Sequence, residues 1–141
     1  MLKGIPNIIS PEALKILDEM GHGDEIVIAD ANFPAMSKAK QLVRFPGIGG
    51  CELLKAILQL MPLDHSVNNA AMLMAVQKGD SCKTPKIWDE YKDIIKKSGE
   101  STEISFYERF EFYEKTEKAF AVFQTGESAL YANILLKKGV L

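Results

Sequence analysis

The sequence has no marked excess of charge of either sign and no long hydrophobic run. Its 17 Lys and Arg residues nearly balance its 19 Asp and Glu residues, so the formal net charge at pH 7 is −2. This balance offers no electrostatic attraction to nucleic acid or to an anionic membrane surface. No apolar run approaches the ~18 residues of a membrane span, and the first ten residues lack the pattern of a signal peptide. We therefore expect a soluble, cytoplasmic protein with neither nucleic acid nor a membrane as its partner.

Several kinds of catalytic and cofactor-binding motif are also missing. The two cysteines, Cys51 and Cys82, lack the paired spacing of a zinc or redox motif and are expected to be reduced thiols. No cluster of His, Cys and carboxylate residues has metal-ligand spacing, and no Gly-x-Ser-x-Gly nucleophile motif occurs. The Gly-Ile-Gly-Gly segment at residues 47–50 matches neither the dinucleotide nor the P-loop spacing, and predicts only a turn and a helix start. A metal-dependent or covalent mechanism therefore has no support, and a nucleotide-binding enzyme is a distant alternative because the glycine pattern does not match.

What the sequence does contain is a regular alternation of helix-like and strand-like segments. Its 141 residues, of which 47% are hydrophobic, are enough to bury a core. The predicted helices span residues 10–21, 49–62, 84–99 and 109–119, and the predicted strands span residues 25–30, 70–76, 102–107, 120–127 and 133–139. This order predicts a single α/β domain over residues 1–141, with a Rossmann-like sheet flanked by helices in an α/β/α arrangement.

Two of the predicted helices carry clear start signals. Ser10 fits the N-cap position of the first helix, and Pro11 fits its first helical residue. The same reasoning assigns Thr84 as the cap and Pro85 as the first residue of the helix over 84–99.

Two ionisable residues frame the first predicted strand. His22 lies between two glycines, and its side chain, with an ordinary pKa of ~6.5, is suited to proton transfer near neutral pH. A surface histidine in a tight turn is the alternative for His22, and His65 is expected at the surface. Asp30 follows the carboxyl end of the strand, where ligands often bind in α/β sheets, although it could equally cap the next turn.

Two further segments combine aromatic rings with hydrogen-bonding groups. Residues 109–113, Arg-Phe-Glu-Phe-Tyr, join a guanidinium to aromatic side chains, and residues 131–133, Tyr-Ala-Asn, join a phenol to an amide. Such combinations suit a sugar, which has apolar faces and a ring of hydroxyl groups. Core packing is the alternative interpretation, because aromatic residues on a short helix are commonly buried.

Four stretches of the sequence together resemble the L-fucose mutarotases, relatives of the D-ribose pyranases in the RbsD/FucU family. They are residues 10–34, 108–122, 125–127 and 131–140. The most specific parts are His-Gly-Asp-Glu followed by Ala-Asp, and the Tyr-x-Asn near the end. The resemblance implies an enzyme that exchanges the α and β anomers of a free sugar without a cofactor. It also implies a cytoplasmic, ring-shaped homo-oligomer, commonly a decamer.

The resemblance further implies roles for individual residues. His22 falls at the position of the catalytic proton donor. The implied substrate-binding residues are Asp30, Arg109, Tyr131 and Asn133. Because ribose-type members tend to have histidine where this chain has Arg109, L-fucose is the expected substrate, with D-ribose and galactose as further candidates. Two alternatives stay open, a D-ribose pyranase that also converts furanose forms and a non-catalytic sugar-binding subunit.

The distance between His22 and Asp30 along the chain constrains how they could serve one sugar. Eight positions separate them, and an extended strand rises ~3.3 Å per residue, so they could lie up to roughly 26 Å apart. Either the ends of this segment fold back sharply, or the two residues belong to one site through different subunits. We expect the second arrangement, with His22 from one chain and Asp30, Arg109 and Tyr131 from its neighbour. Our hypothesis is that His22 protonates the ring oxygen while a second polar group or an ordered water accepts the anomeric hydroxyl proton.

Overall fold

One six-stranded mixed sheet forms the middle layer of the molecule. The computed structural model describes residues 1–141, and its strands are β1 Glu25–Ala29, β2 Leu42–Phe45, β3 Ala71–Met74, β4 Ile104–Tyr107, β5 Ala121–Thr125 and β6 Ile134–Lys137. The strand order is β2-β5-β1-β6-β3-β4, and only β6 is antiparallel to its neighbours. The amino end of β6 therefore lies on the same side of the sheet as the carboxyl ends of the other five strands.

Helices cover both faces of this sheet. They are α1 Pro11–Glu19, α2 Ala35–Lys38, α3 Gly50–Leu58, α4 Ile87–Lys97 and α5 Arg109–Lys118. Apolar residues of α1, α3 and α4 join the larger core of 28 buried residues on one face. Residues of α2 and α5 join a smaller core of 10 buried residues on the other face. The predicted α/β/α arrangement is confirmed.

The central strand β1 explains why its sequence is apolar without interruption. Ile26 and Ile28 point into the larger core, whereas Val27 and Ala29 point into the smaller one. All four residues are fully buried. Because both faces of β1 are covered, alternation of apolar and polar residues would leave polar groups in a core. Burial of each larger side chain contributes about 1.5–3 kcal/mol relative to exposure.

The helix-start signals were correct for the first helix and wrong for the third predicted one. The Ser10 Oγ accepts a hydrogen bond from the Ala13 N–H at 3.2 Å, with Pro11 as the first residue of α1. By contrast, α4 begins at Ile87, and no side chain caps its start. Thr84 is exposed and lies outside the helix, because the turn made by the Trp88 N–H and the Pro85 carbonyl precedes regular α-helix.

All nine predicted elements are present, but two elements of the structure were not predicted. The helix α2 is a four-residue segment after Pro34, too short to show an apolar periodicity. The strand β2 lies at an edge of the sheet and pairs only with β5. Its sequence, Leu-Val-Arg-Phe, has only four residues, too few for the pattern alone to indicate a strand.

The beginning of α3 lies directly against Tyr91 of α4. Tyr91 is fully buried, and its hydroxyl donates a hydrogen bond to the Ala132 carbonyl at 3.0 Å. A Cβ atom on Gly50 would lie 2.1 Å from the Tyr91 Oη, so only glycine fits there without movement of the tyrosine. This contact links the two helices to the segment that precedes β6.

Gly50→Ala should lower the free energy of unfolding by about 1–3 kcal/mol, because the added methyl group overpacks a buried, hydrogen-bonded ring. Urea unfolding followed by circular dichroism measures this change. The matched control is Gly47→Ala, since a Cβ on Gly47 has no atom within 4 Å. Adding Tyr91→Phe to Gly50→Ala should recover part of the loss. Equal stability of the Gly50→Ala and Gly47→Ala variants would contradict this account of the contact.

Candidate active site

Polar side chains converge on a cleft of about 190 Å³ at the sheet edge where five strands end and β6 begins. Its lining includes all four predicted substrate-binding residues, namely Asp30, Arg109, Tyr131 and Asn133. The cleft has four further polar side chains in its lining, those of Asn32, Gln77, Asp80 and Tyr113. The remaining predicted residue, His22, does not line this cleft.

Asp30 and Asn133 hold each other at the centre of the cleft wall. Asp30 directly follows β1 and Asn133 directly precedes β6, so the antiparallel pairing of these strands brings the two residues together. The Asn133 Nδ2 donates to the Asp30 Oδ2 at 2.8 Å, and the Asp30 N–H donates to the Asn133 Oδ1 at 2.8 Å. Both residues are buried. This reciprocal pair fixes the orientation of both polar side chains.

The carboxyl group of Asp30 has a perturbed pKa. Burial raises this pKa above its ordinary value because the charged form loses water. The N–H of Asn32, at 2.9 Å, and the amide of Asn133 both donate to the carboxylate and oppose the increase. Asp30 therefore keeps its proton to a higher pH than an exposed aspartate, and when ionised it is a desolvated hydrogen-bond acceptor.

The segment that carries Tyr131 is held in an uncommon backbone conformation. Tyr131 has a φ of 58°, and it is the only residue other than glycine with a positive φ. The Trp88 Nε1 donates to the Tyr131 carbonyl at 2.9 Å, and the Tyr91 hydroxyl donates to the Ala132 carbonyl. These contacts from α4 hold the backbone in this conformation, which costs of order 1–3 kcal/mol in a non-glycine residue.

Arg109, the first residue of α5, carries the positive charge of the cleft. Its Nε donates to the Tyr113 hydroxyl at 3.2 Å, and its Nη1 donates to the Gln77 Oε1 at 3.0 Å. The guanidinium carbon lies 5.6 Å from the ring centres of both Phe110 and Tyr113. Because an arginine has five N–H donors, donors remain for a ligand after these two bonds.

His22 lies in the turn between α1 and β1, at the opposite end of β1 from Asp30. Its side chain is half exposed, and its Nε2 lies 3.2 Å from the Asp64 Oδ1. The buried Asp64 also accepts hydrogen bonds from the Ser66 hydroxyl at 2.7 Å and the Ser66 N–H at 2.9 Å. The Ser66 bonds lower the pKa of Asp64 to about 2, and His22 adds to the effect. His22 therefore has an ionised partner at neutral pH.

Lys138, the residue directly after β6, fixes the turn that carries His22. Its ammonium group donates to the Leu17 and Met20 carbonyls at the end of α1, at 2.7 and 2.5 Å. Its backbone carbonyl accepts from the Gly23 N–H, and its backbone N–H donates to the Asp24 carbonyl, each at 2.8 Å. The histidine is thus accessible to solvent while its backbone is tied on both sides.

Sequence reasoning missed several polar residues beside the predicted ones. Gln77 and Asp80 follow β3 at the same sheet edge at which Asp30 follows β1, so the strand-end argument could have found them. Tyr113 belongs to the segment 109–113 that the sequence indicated as suited to a sugar, but it was not named as a site residue; it lies four residues after Arg109, on the same side of a helix. No sequence pattern indicated Asp64, because it contacts His22 from a position 42 residues away in the sequence.

The remaining candidates lie outside the cleft. His65 is exposed at the surface, as predicted, and its Nε2 lies 3.1 Å from the Glu100 Oε2. Cys51 and Cys82 are unpaired, and burial raises the pKa of the Cys51 thiol to about 12, with Glu90 adding to the increase.

None of the helices combines the length and apolarity that crossing a membrane requires.

Sequence comparison identifies the family. The model of the RbsD / FucU transport protein family matches residues 3–141. This chain belongs to that family. The resemblance inferred from the sequence motifs is therefore confirmed. Among relatives in the RbsD / FucU family, the fucose mutarotases of Danio rerio and Homo sapiens are each 48% identical to this chain over 146 residues. The alignments cover 100% and 99% of this chain and 95% and 94% of those proteins.

Solved structures of RbsD / FucU proteins share the fold described above. The crystal structure of the fucose mutarotase in complex with L-fucose from Streptococcus pneumoniae has a TM-score of 0.93 and 51% sequence identity, and covers 99% of both chains. FucU from Bifidobacterium longum gives a TM-score of 0.93 at 52% identity, again over 99% of both chains. Bacillus subtilis RbsD complexed with D-ribose gives 0.74 at 27% identity, covering 100% of this chain and 99% of that chain.

The Asp30 carboxyl in this RbsD / FucU protein should titrate above the ~3.9 of an ordinary aspartate. Asn133→Leu should raise its pKa further, because the substitution removes an amide donor that stabilises the carboxylate. The carboxyl ¹³C chemical shift, followed against pH and assigned with Asp30→Asn, measures both values. Asn7→Leu, an exposed asparagine remote from the cleft, is the control. A wild-type Asp30 that titrates at or below the ordinary value would show that burial does not dominate.

Proposed function

We propose that this protein is an L-fucose mutarotase, an isomerase that interconverts the α and β anomers of the free sugar by opening and closing its ring. The observation that carries this proposal is the cleft in which Asp30, Arg109, Tyr131 and Asn133 meet. The overall likeness to the fucose mutarotase from Streptococcus pneumoniae, whose crystal structure is in complex with L-fucose, supports the same reaction.

The reaction needs only proton transfers at positioned groups. An acid protonates the ring oxygen while a base removes the anomeric hydroxyl proton, and the aldehyde then turns about its C1–C2 bond before it closes again. His22 is the proposed acid, because its imidazole is accessible and its Nε2 is held 3.2 Å from the Asp64 carboxylate. A second polar group or an ordered water is the proposed base. Each positioned acid or base contributes about 10²–10⁴-fold to such a rate.

The cleft residues have the chemistry to hold a sugar in place. The Asp30 carboxylate can accept hydrogen bonds from sugar hydroxyls, and the Arg109 guanidinium can donate to them, so both bonds are charge-assisted. Tyr131 and Asn133 complete the proposed set of binding residues. The identity of 51% with the L-fucose complex, against 27% with the D-ribose complex, favours L-fucose over D-ribose as the substrate.

The separation of His22 from the cleft supports a site shared between subunits. In this proposal His22 and Asp64 of one chain meet the cleft of a neighbouring chain, so the isolated chain lacks a complete site. We therefore propose a homo-oligomer, a decameric ring by family resemblance, in which residues 1–141 form a single mutarotase domain. A cytoplasmic location fits the unpaired cysteines.

The wild-type protein should accelerate anomer exchange on L-fucose more than on D-ribose, and His22→Ala should abolish the acceleration, a loss of about 10²–10⁴-fold. Saturation-transfer NMR on each free sugar measures the exchange. His65→Ala, which changes an exposed histidine outside the cleft, is the matched control and should keep wild-type activity.

Each contrary outcome of this experiment has its own meaning. Near-wild-type exchange by a folded His22→Ala variant would remove the acid from the mechanism. Faster exchange on D-ribose would favour a pyranase, and binding without any acceleration by the wild type would favour a non-catalytic sugar-binding subunit.

Mixing two inactive variants tests the shared site. If His22 and Arg109 act on one sugar from different chains, refolding His22→Ala together with Arg109→Ala in equal amounts should restore activity at about one quarter of the sites, by random assembly. Each variant alone should stay inactive, and mixing them without refolding is the control. If both residues served a sugar within one chain, no mixture would contain an intact site, and the absence of recovery in a verified mixed oligomer would contradict the proposal.

A further inference from the structure

The hydroxyl of Tyr131 has a fixed partner on the loop that follows β3. The Tyr131 Oη lies 2.5 Å from the Asp80 Oδ2. The other oxygen of the same carboxylate, Oδ1, accepts a hydrogen bond from the Cys82 N–H at 2.9 Å. These hydrogen bonds lower the pKa of Asp80, with Tyr131 as the main cause. Asp80 is therefore ionised at neutral pH and can only accept.

The hydrogen-bonding capacity of a phenol then determines what Tyr131 can offer to the cleft. A tyrosine hydroxyl has one proton to donate, and its oxygen can also accept. Because an ionised Asp80 can only accept, the single proton of Tyr131 must point to it. The Gln77 N–H approaches the Tyr131 Oη at 3.5 Å and occupies one accepting direction weakly. On the side of the cleft, the Tyr131 Oη can therefore only accept a hydrogen bond.

We propose that Asp80 is a positioning residue that fixes the polarity of Tyr131, so that the Tyr131 hydroxyl accepts a hydrogen bond from a sugar hydroxyl and donates none to the sugar. This inference rests on the proposed function, since it concerns how the same cleft selects its sugar. Asp80 acts through Tyr131, whose backbone is already held by Trp88.

This polarity makes the cleft selective for a donor on the sugar. A hydroxyl group at the position that faces Tyr131 can donate its proton to the Oη. A fluorine or a methoxy group at that position has no proton to donate. It would place a second acceptor next to the Tyr131 oxygen, with no hydrogen bond between them. Arg109 keeps N–H donors for a ligand after its bonds to Gln77 and Tyr113, so a loss caused by Tyr131 is recognised as the one that Tyr131→Phe removes. An acceptor-only analogue should therefore bind about tenfold more weakly, or worse.

Asp80→Asn provides a substitution of nearly the same shape that should reverse the polarity. The Cys82 N–H can only donate, so it should select the amide oxygen of the new asparagine. The amide Nδ2 would then point to the Tyr131 Oη and donate to it. Tyr131 would no longer have an acceptor on the loop, and its proton would be free to point into the cleft. Asp80→Glu keeps a carboxylate and should retain the wild-type polarity.

The test compares dissociation constants for L-fucose and for its 2-, 3- and 4-deoxyfluoro analogues by isothermal titration calorimetry. Tyr131→Phe identifies the position that faces the hydroxyl, since the penalty for fluorine should disappear only there. At that position the wild type and Asp80→Glu should bind the analogue at least tenfold more weakly than L-fucose, and in Asp80→Asn the ratio should fall to within about threefold. Asp93→Asn, on the exposed face of α4, is the control and should keep the wild-type ratio.

For each variant, the dissociation constant of the fluoro analogue is compared with that of L-fucose for the same variant. A general loss of affinity for sugars therefore does not produce the expected result. The inference is overturned if no fluorine position responds to Tyr131→Phe, or if the wild-type penalty persists in Asp80→Asn. In both cases L-fucose still binds, so the proposed function stands. A wild-type protein that neither binds L-fucose nor accelerates its anomer exchange would overturn the proposed function and this inference with it.

Discussion

The length and rigidity of β1 constrain everything else in the proposed site. Its five residues span about 16 Å at ~3.3 Å per residue. Because both faces of the strand are packed against helices, it cannot bend to bring its ends together. His22 therefore stays at one end and Asp30 at the other. The groups proposed for proton transfer and for sugar binding each have hydrogen-bond partners, but within one chain they lie at opposite ends of β1.

The antiparallel strand β6 places residues at both ends of β1. Its amino end places Asn133 against Asp30, which buries the carboxylate in a reciprocal pair and raises its pKa. Its carboxyl end places Lys138 against the turn that carries His22. Had β6 run parallel to its neighbours, Asn133 would lie at the end of β1 that is next to His22, and the cleft would lose its central hydrogen bonds. One reversed strand thus orients residues in both parts of the proposed shared site.

Much of this fold follows from local features of the sequence, and the exceptions are instructive. The apolar run of β1 and the cap at Ser10 are local signals, and both predicted the structure correctly. The edge strand β2 was missed because its stability comes from pairing with β5 and not from its own pattern. The predicted cap at Thr84 failed because a turn fixed by backbone hydrogen bonds delays the start of α4.

The same distinction applies to the cleft. Residue types and motif resemblance selected Asp30, Arg109, Tyr131 and Asn133 as binding residues, and these four do line one cleft. The partners that orient them could not be assigned from the sequence. Asp80 reaches Tyr131 across 51 positions, and Asp64 reaches His22 across 42. Such pairs depend on strand order and on the loops that follow the strands, neither of which a local pattern encodes.

The most direct test of the account is a crystal structure of the oligomer with L-fucose bound. The account predicts that the sugar contacts Asp30, Arg109 and Tyr131 of one chain, and that the nearest imidazole is His22 of a different chain. A sugar bound between His22 and Asp30 of the same chain, or bound away from the cleft, would contradict it.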